Sequence, residues 1–160
     1  MKDKYIVGIV GLGYVGLPLC LAFGQKYKTF GFDISKEKIN SYKDNIDLAN
    51  EVTRLEFKKA KYVQFSNEEK ILKGVNIFIV SVPTPVDKSN VPDLSALKNS
   101  CKLIGKFLKK DSIVIFEPTV FPGATEEICV PILEKTSNLK WFKDFNVAYS
   151  PERINPGDKE

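Results

Sequence analysis

I-V-G-I-V-G-L-G-Y-V-G, residues 6–16, is the stretch that decides the fold of this 160-residue chain. A run of β-branched residues, typical of a buried parallel strand, leads directly into glycines spaced G-x-G-x-x-G. Gly11 permits a sharp turn out of the strand, and Gly13 permits backbone N–H groups to approach a pyrophosphate. Gly16 lets the following helix pack closely against the sheet. The stretch therefore predicts a strand, a phosphate-binding turn and a helix.

An acidic residue stands where a dinucleotide site needs one. Asp33 ends the next apolar run, 22 residues after Gly11, and a carboxylate there accepts hydrogen bonds from the adenosine ribose hydroxyls. It also repels the extra phosphate of NADP, and no arginine follows it, so the sequence predicts NAD. Lys36 and Lys38 are the nearby cations that oppose this preference. The alternative, a glycine-rich contact between helix and strand without a ligand, leaves Asp33 unexplained.

The composition indicates one ordinary globular domain. A hydrophobic share of 43% and a charged share of 28% are enough for one core. The formal charge of +4 comes mostly from scattered lysines, with Arg54 and Arg153 the only arginines. Solvated helix faces explain that pattern better than a nucleic-acid site, so we expect no nucleic-acid partner.

The uncharged segment 6–23 could be taken for a signal peptide or a membrane span. Four glycines and Pro18 interrupt it, and the dinucleotide pattern accounts for their positions better. We therefore expect a cytoplasmic protein without a membrane partner. Cys20, Cys101 and Cys129 are far apart in the sequence and odd in number, which predicts reduced structural thiols and no metal site.

The chain contains no histidine. This excludes catalytic triads and zinc sites that use histidine, and the histidine acid–base group of many simple alcohol and hydroxyacid dehydrogenases. Any proton transfer must then use carboxylates, lysines, hydroxyls or water.

Six apolar runs alternate with helix-like stretches. The alternation predicts an α/β fold of the Rossmann type, a doubly wound parallel sheet in the order 3-2-1-4-5-6 with helices on both faces. We expect residues 1–160 to form one domain, with a core to about residue 150 and an active-site loop at 150–157. The apolar runs lie at about residues 5–10, 28–32, 62–65, 75–82, 112–116 and 145–149.

Spacing and capping residues place four helices. The first should begin near Tyr14, with Pro18 tolerated in or near its first turn. Ser35 should cap a second helix that carries Ile39 and Tyr42. A third, weaker helix is predicted over residues 51–61, with Val52, Leu55 and Phe57 facing inward. The fourth has apolar residues at spacings of three and four, namely Leu94, Leu97, Cys101, Ile104 and Leu108.

The loops after the last three strands hold further candidate residues, because ligands of open parallel sheets bind beyond the carboxyl ends of the strands. V-P-T-P at 82–85 presents the Thr84 hydroxyl, and E-P-T-V-F-P-G at 117–123 presents Thr119. In the third loop Glu152 offers a base and Arg153 an anion contact. A surface ion pair is the open alternative for these two.

Together these motifs resemble the UDP-glucose/GDP-mannose dehydrogenase family over essentially the whole chain. The last segment is most similar to the branch that oxidises UDP-N-acetylhexosamines, which includes the UDP-N-acetylglucosamine 6-dehydrogenases of Vi-type polysaccharide and O-antigen pathways. The resemblance implies that two NAD oxidise the sugar C6 alcohol to a carboxylate, through a thiohemiacetal and a thioester on a cysteine. The segments that carry it are G-L-G-Y-V-G-L-P at 11–18, F-D-I-S-K-E-K-I at 32–39, V-P-T-P at 82–85, T-V-F-P-G at 119–123 and S-P-E-R-I-N-P-G at 150–157.

The resemblance also implies roles for single residues. Asp33 and Lys38 hold the adenosine ribose. Thr119 and Glu152 position the water or proton acceptor, and Arg153 joins Glu152 at the substrate. Pro118 replaces a serine of the family, and Pro156 stands where the UDP-glucose branch has a second glutamate. The cofactor turn consists of Gly11, Leu12, Gly13, Tyr14, Val15 and Gly16, and the nicotinamide side is lined by Pro83, Thr84 and Thr119.

The family's nucleophilic cysteine lies in a later substrate domain, and none of the three cysteines here stands in its motif. We therefore expect an amino-terminal domain that binds NAD without oxidising UDP-sugars, from a parent protein that is a homo-oligomer and binds its sugar through the missing domain. A β-hydroxyacid-type dehydrogenase domain is one alternative, disfavoured by the V-P-T-P and S-P-E-R segments. A nucleotide-sensing module has no need for both Thr119 and Glu152. A methyltransferase-like domain for S-adenosylmethionine has no need for the third glycine.

Overall fold

A computed structural model describes residues 4–86, 88 and 91–151 of the chain. Within these residues six parallel strands form one sheet in the order β3-β2-β1-β4-β5-β6, which confirms the predicted order. Each strand lies within about two residues of its apolar run. The strands are β1 (Ile6–Val10), β2 (Lys28–Phe32), β3 (Val63–Ser66), β4 (Ile77–Val80), β5 (Ser112–Phe116) and β6 (Phe145–Tyr149).

Helices connect the strands, and the sheet separates their apolar side chains into two cores. Alternate strand residues point to opposite faces. Val7 and Ile9 pack on one face with residues of α1, α2 and α3, and Phe78 and Val80 pack on the other with residues of α4 and α5. The α-helices of the described residues are α1 (Gly16–Phe23), α2 (Lys36–Lys43), α3 (Arg54–Lys59), α4 (Ser95–Gly105) and α5 (Val130–Ser137).

The first two helices differ little from the prediction. Helix α1 begins at Gly16 instead of near Tyr14, because residues 11–15 form the turn that precedes it. Pro18 lies in its first turn, as expected. Ser35 caps α2 by accepting a hydrogen bond from the Lys38 backbone N–H. The carboxyl end of β2 and the start of α2 are thereby fixed beside the glycine turn.

The third helix is shorter than the predicted 51–61, and the inward placement of Leu55 is wrong. Thr53 and Glu56 form a capping box that starts the helix at Arg54. Phe57 is buried, whereas Leu55 is 60% exposed, because residues two apart in a helix point to different sides. Helix α4 ends at Gly105, so Leu108 lies beyond it and not within it.

The three cysteines are free and buried. Cys101 on α4 meets Cys129 across the core, and their hydrogen bond, together with burial, raises the pKa of Cys101. Burial also raises the pKa of Cys20. High thiol pKa values make poor nucleophiles, so these two cysteines have the character of core residues.

Within residues 4–86, 88 and 91–151, no group of three or more histidine, cysteine, aspartate or glutamate side chains is arranged to hold a metal ion. None of the described helices has the length and apolar character of a membrane span.

Candidate functional site

A cleft of about 560 Å³ opens at the carboxyl ends of the strands. Its walls are the turn after β1, the loops after β4 and β5, and side chains that follow β2. The structure thus brings together residues from four separate parts of the sequence. The predicted site residues that line the cleft are Gly11, Leu12, Gly13, Tyr14, Val15, Asp33, Lys38, Pro83, Thr84 and Thr119.

The local structure constrains the side chain differently at each of the three glycines of the turn. Gly11 has φ +93°, a backbone conformation that side chains disfavour. A Cβ on Gly16 would overlap the carbonyl oxygen of Gly11 and the hydroxyl of Ser81. Apart from its neighbours in the chain, no atom of the described residues would lie within 4 Å of a Cβ on Gly13. Gly11 and Gly16 therefore serve the protein's own packing, whereas the space at Gly13 is open beside the cleft.

Asp33 supports the turn and faces the cleft with the same carboxylate. It is only 8% exposed. Its Oδ2 accepts a hydrogen bond from the Leu12 N–H at 2.8 Å, and its Oδ1 accepts one from the Ser35 N–H at 2.8 Å. Because each carboxylate oxygen can accept two hydrogen bonds, both oxygens keep capacity for ribose hydroxyls.

Two hydroxyl groups also hold the turn. Ser81, directly after β4, donates to the carbonyl oxygen of Gly11 at 2.8 Å. Tyr42 on α2 donates to the carbonyl oxygen of Leu12 at 2.9 Å. The sequence predicts Tyr42 on the second helix, where it lies, but it does not predict the burial or the hydroxyl contact of Tyr42, and it gives no role to Ser81. The one available signal was the position of Ser81 at the end of a central strand.

The raised pKa of the Tyr42 hydroxyl predicts that the protein loses stability at alkaline pH. Burial, then the charges of Asp47 and Asp33, raises the pKa of Tyr42 from about 10 to about 12. The unfolded chain loses this proton near pH 10 and the folded chain only near pH 12. The stabilisation is therefore complete below pH 10 and is lost as the pH rises towards 12.

The free energy of unfolding should fall by about 2–3 kcal/mol across that interval. Urea unfolding of wild type and Tyr42→Phe at several pH values measures the effect, because the variant lacks this titration. The variant's stability should fall less steeply between pH 10 and 12. Parallel curves for the two proteins would contradict the assignment.

A second cavity, of about 500 Å³, continues from the cleft past Asp33 and Lys38. Ile34, 87% exposed, lies at one side, and Asn99 and Leu103 of α4 lie at another. The walls are mainly apolar, with the Asn99 amide and a few other polar side chains among them, and such a cavity suits a flat heteroaromatic base. These three residues were not predicted, since nothing in the local sequence distinguishes Asn99 or Leu103 from other residues of an amphipathic helix.

The other end of the cleft is formed by the loops after β4 and β5. The Thr84 hydroxyl, expected to face a cofactor, donates to the backbone carbonyl of Thr119 at 2.8 Å and so ties the two loops together. Pro118 is buried in the wall, next to Glu117. Glu152 and Arg153 lie outside the described residues.

The geometry suits an extended ligand that carries a pyrophosphate and a ribose. Open space and backbone N–H groups lie at the turn, a carboxylate at the adenosine side, and an apolar cavity beyond it. Helix α1 begins directly behind the turn, and the amino end of a helix favours negative charge.

Comparisons with known proteins agree with this geometry. The family model described as "UDP-glucose/GDP-mannose dehydrogenase family, NAD binding domain" matches residues 5–159. The chain is 53% identical to UDP-N-acetyl-D-glucosamine 6-dehydrogenase of Pseudomonas aeruginosa, over 100% of this chain and 38% of the relative. It is 44% identical to the protein of the same name from Salmonella typhi, over 99% of this chain and 37% of the relative.

A solved structure extends the likeness to three dimensions. UDP-D-ManNAc dehydrogenase of Pyrococcus horikoshii has a TM-score of 0.87 with this chain at 32% identity, over 95% of this chain and 37% of that one. The chain spans 37–38% of the length of the two curated relatives described above.

Proposed function

The chain belongs to the UDP-glucose/GDP-mannose dehydrogenase family as an NAD-binding domain, and on this premise we propose that the protein oxidises the C6 hydroxyl of a UDP-N-acetylhexosamine, or of UDP-glucose, to the carboxylate. Two NAD are consumed, and the product serves surface polysaccharide biosynthesis. Two relatives, at 44% and 53% identity, are named UDP-N-acetyl-D-glucosamine 6-dehydrogenase, and they favour a UDP-N-acetylhexosamine over UDP-glucose as the substrate. We also propose a cytoplasmic, homo-oligomeric protein.

The cofactor proposal rests on one observation: the Asp33 carboxylate and the open space at Gly13 lie in the same cleft. The unfilled space at Gly13 fits a pyrophosphate, and Asp33 with Lys38 would hold the adenosine ribose. Pro83, Thr84 and Thr119 would line the nicotinamide side. NAD, when bound, supplies the hydride acceptor.

The charges around the adenosine cavity favour NAD over NADP. The carboxylates of Asp33 and Glu69 both line it, and a ribose phosphate there would be repelled by them. Lys38 lines the same cavity and opposes this repulsion, and Lys106 pairs with Glu69 at 2.8 Å and so reduces the contribution of Glu69. Asp33 therefore carries most of the selectivity.

The chemical step is proposed from the motifs at the nicotinamide end. Thr119 and Glu152 would position the water or proton acceptor, and Glu152 with Arg153 would contact the sugar. None of the three cysteines lines the cleft. We propose that the nucleophilic thiol of the family comes from outside these 160 residues.

Calorimetric titration of the 160-residue chain with NAD, NADP and S-adenosylmethionine tests the proposal. We expect NAD to bind at least about tenfold more tightly than NADP, consistent with about 1.4 kcal/mol of repulsion, and S-adenosylmethionine not to bind. Preference for either of the other ligands would contradict the assignment. The same chain, mixed with NAD and UDP-N-acetylglucosamine, should form no NADH; formation of two NADH per sugar would show that the nucleophile lies within it.

A further inference from the structure

Two consecutive peptide groups of the glycine turn are held by side chains from elsewhere in the fold. In the first, the Gly11 carbonyl accepts from Ser81 and the Leu12 N–H donates to Asp33. In the second, the Leu12 carbonyl accepts from the Tyr42 hydroxyl at 2.9 Å. The N–H of that second peptide belongs to Gly13, and within the described residues it has no acceptor.

The orientation of the Gly13 N–H follows from the planarity of the peptide bond. In a trans peptide the carbonyl oxygen and the N–H point in opposite directions. Tyr42 holds the Leu12 oxygen towards α2, so the Gly13 N–H points away from α2, on a residue that lines the cleft. If the hydroxyl were removed, the peptide could rotate, and its carbonyl dipole would then disfavour a phosphate.

We propose that Tyr42 is a positioning residue for the cofactor pyrophosphate, which it never touches: its hydroxyl fixes the Leu12–Gly13 peptide so that the Gly13 N–H is directed at the phosphate. The inference rests on the proposed binding of NAD in this cleft. It assigns a binding role to a core residue on α2, 30 positions from the Leu12 carbonyl that it contacts.

The surroundings of Tyr42 suit this role. Its side chain is 4% exposed and its ring packs against Phe57 and Phe65, with centroids 6.1 and 5.6 Å away. The ring therefore has a fixed position. With its pKa raised to about 12, the hydroxyl remains a hydrogen-bond donor at every pH near neutrality. Tyr42 does not line the cleft, whereas Asp33 and Ser81 do.

The test compares Tyr42→Phe with wild type, using ligands that do and do not contain the pyrophosphate. Tyr42→Phe removes one oxygen and keeps the ring packing. We expect NAD and ADP-ribose to bind about five- to tenfold more weakly, as for the loss of one net hydrogen bond, and adenosine to bind within about twofold of wild type. Tyr62→Phe is the matched control, because Tyr62 is half exposed directly before β3, and it should change none of these values.

Two further measurements separate positioning from a general loss of structure. In two-dimensional ¹H–¹⁵N NMR spectra, the Gly13 amide signal should shift when ADP-ribose is added to the wild-type protein. That shift should be smaller in Tyr42→Phe. Ser81→Ala, which releases the neighbouring peptide, should also weaken NAD more than adenosine. Equal weakening of NAD and adenosine by Tyr42→Phe, or unchanged NAD binding by the folded variant, would overturn the inference. Failure of wild type to bind NAD would instead overturn the proposed function beneath it.

Discussion

Asp33→Ala should weaken NAD binding by at least about 100-fold. The substitution removes a carboxylate that faces the adenosine cavity and also holds the Leu12 N–H at 2.8 Å. Hydrogen bonds to charged groups contribute about 1.5–3 kcal/mol each, so the loss of two ribose contacts alone exceeds about 3 kcal/mol. Calorimetric titration of the variant with NAD measures the change.

Asp47→Ala is the matched control for Asp33→Ala. Asp47 is another buried carboxylate, 8% exposed, that accepts hydrogen bonds from backbone N–H groups, those of Ala49, Glu51 and Val52. It lines neither the cleft nor the adjoining cavity. Its removal should lower stability while NAD binding by the folded protein stays within about threefold of wild type. Comparable losses of NAD binding in the two variants would mean that Asp33 acts only through the fold.

Two substitutions in the turn, Gly16→Ala and Gly13→Ala, should distinguish an effect on stability from an effect on NAD binding. At Gly16 the added Cβ overlaps the Gly11 carbonyl and Ser81, so Gly16→Ala should lower the free energy of unfolding by about 1–3 kcal/mol. At Gly13 the added Cβ meets no atom of the described residues within 4 Å beyond its chain neighbours. Gly13→Ala should leave stability within about 0.5 kcal/mol yet weaken NAD binding at least about tenfold, about 1.4 kcal/mol.

Thermal or urea unfolding and NAD titration of both variants provide the comparison. NADP and ADP-ribose should lose affinity with Gly13→Ala as NAD does, since all share the pyrophosphate. A Gly13→Ala protein that binds NAD normally would show that the turn has no phosphate role. A stable Gly16→Ala protein would show that α1 can move away from the turn.

Local patterns in the sequence were sufficient to predict the sheet. Strands β1, β2 and β5 are short apolar runs between turn residues, and their spacing with intervening helices fixes the parallel order. Helix α3 was predicted less well, because a capping box and a single buried ring, Phe57, define it. Apolar periodicity alone could not show that Leu55 would face solvent.

The sequence predicts many residues that line the site, but it does not predict the hydrogen bonds that join one segment to another. The glycine turn and Asp33 follow a spacing that is visible in the sequence. The Ser81 hydroxyl meets the Gly11 carbonyl across 70 positions, and the Tyr42 hydroxyl meets Leu12 across 30, so only the folded sheet brings them together. The hydrogen bond of the Thr84 hydroxyl could not be predicted for the same reason, since its partner Thr119 lies 35 positions away on another loop.

A crystal structure of the chain with NAD would test the central claim most directly. We predict the pyrophosphate within hydrogen-bond distance of the Gly13 N–H, the adenosine ribose hydroxyls on Asp33, and the Leu12 carbonyl still bonded to Tyr42. A separate groove of about 420 Å³ lies near α3, lined in part by Phe57 and Phe65. NAD bound there, or bound in the cleft with the Gly13 N–H turned away from its phosphates, would contradict the account.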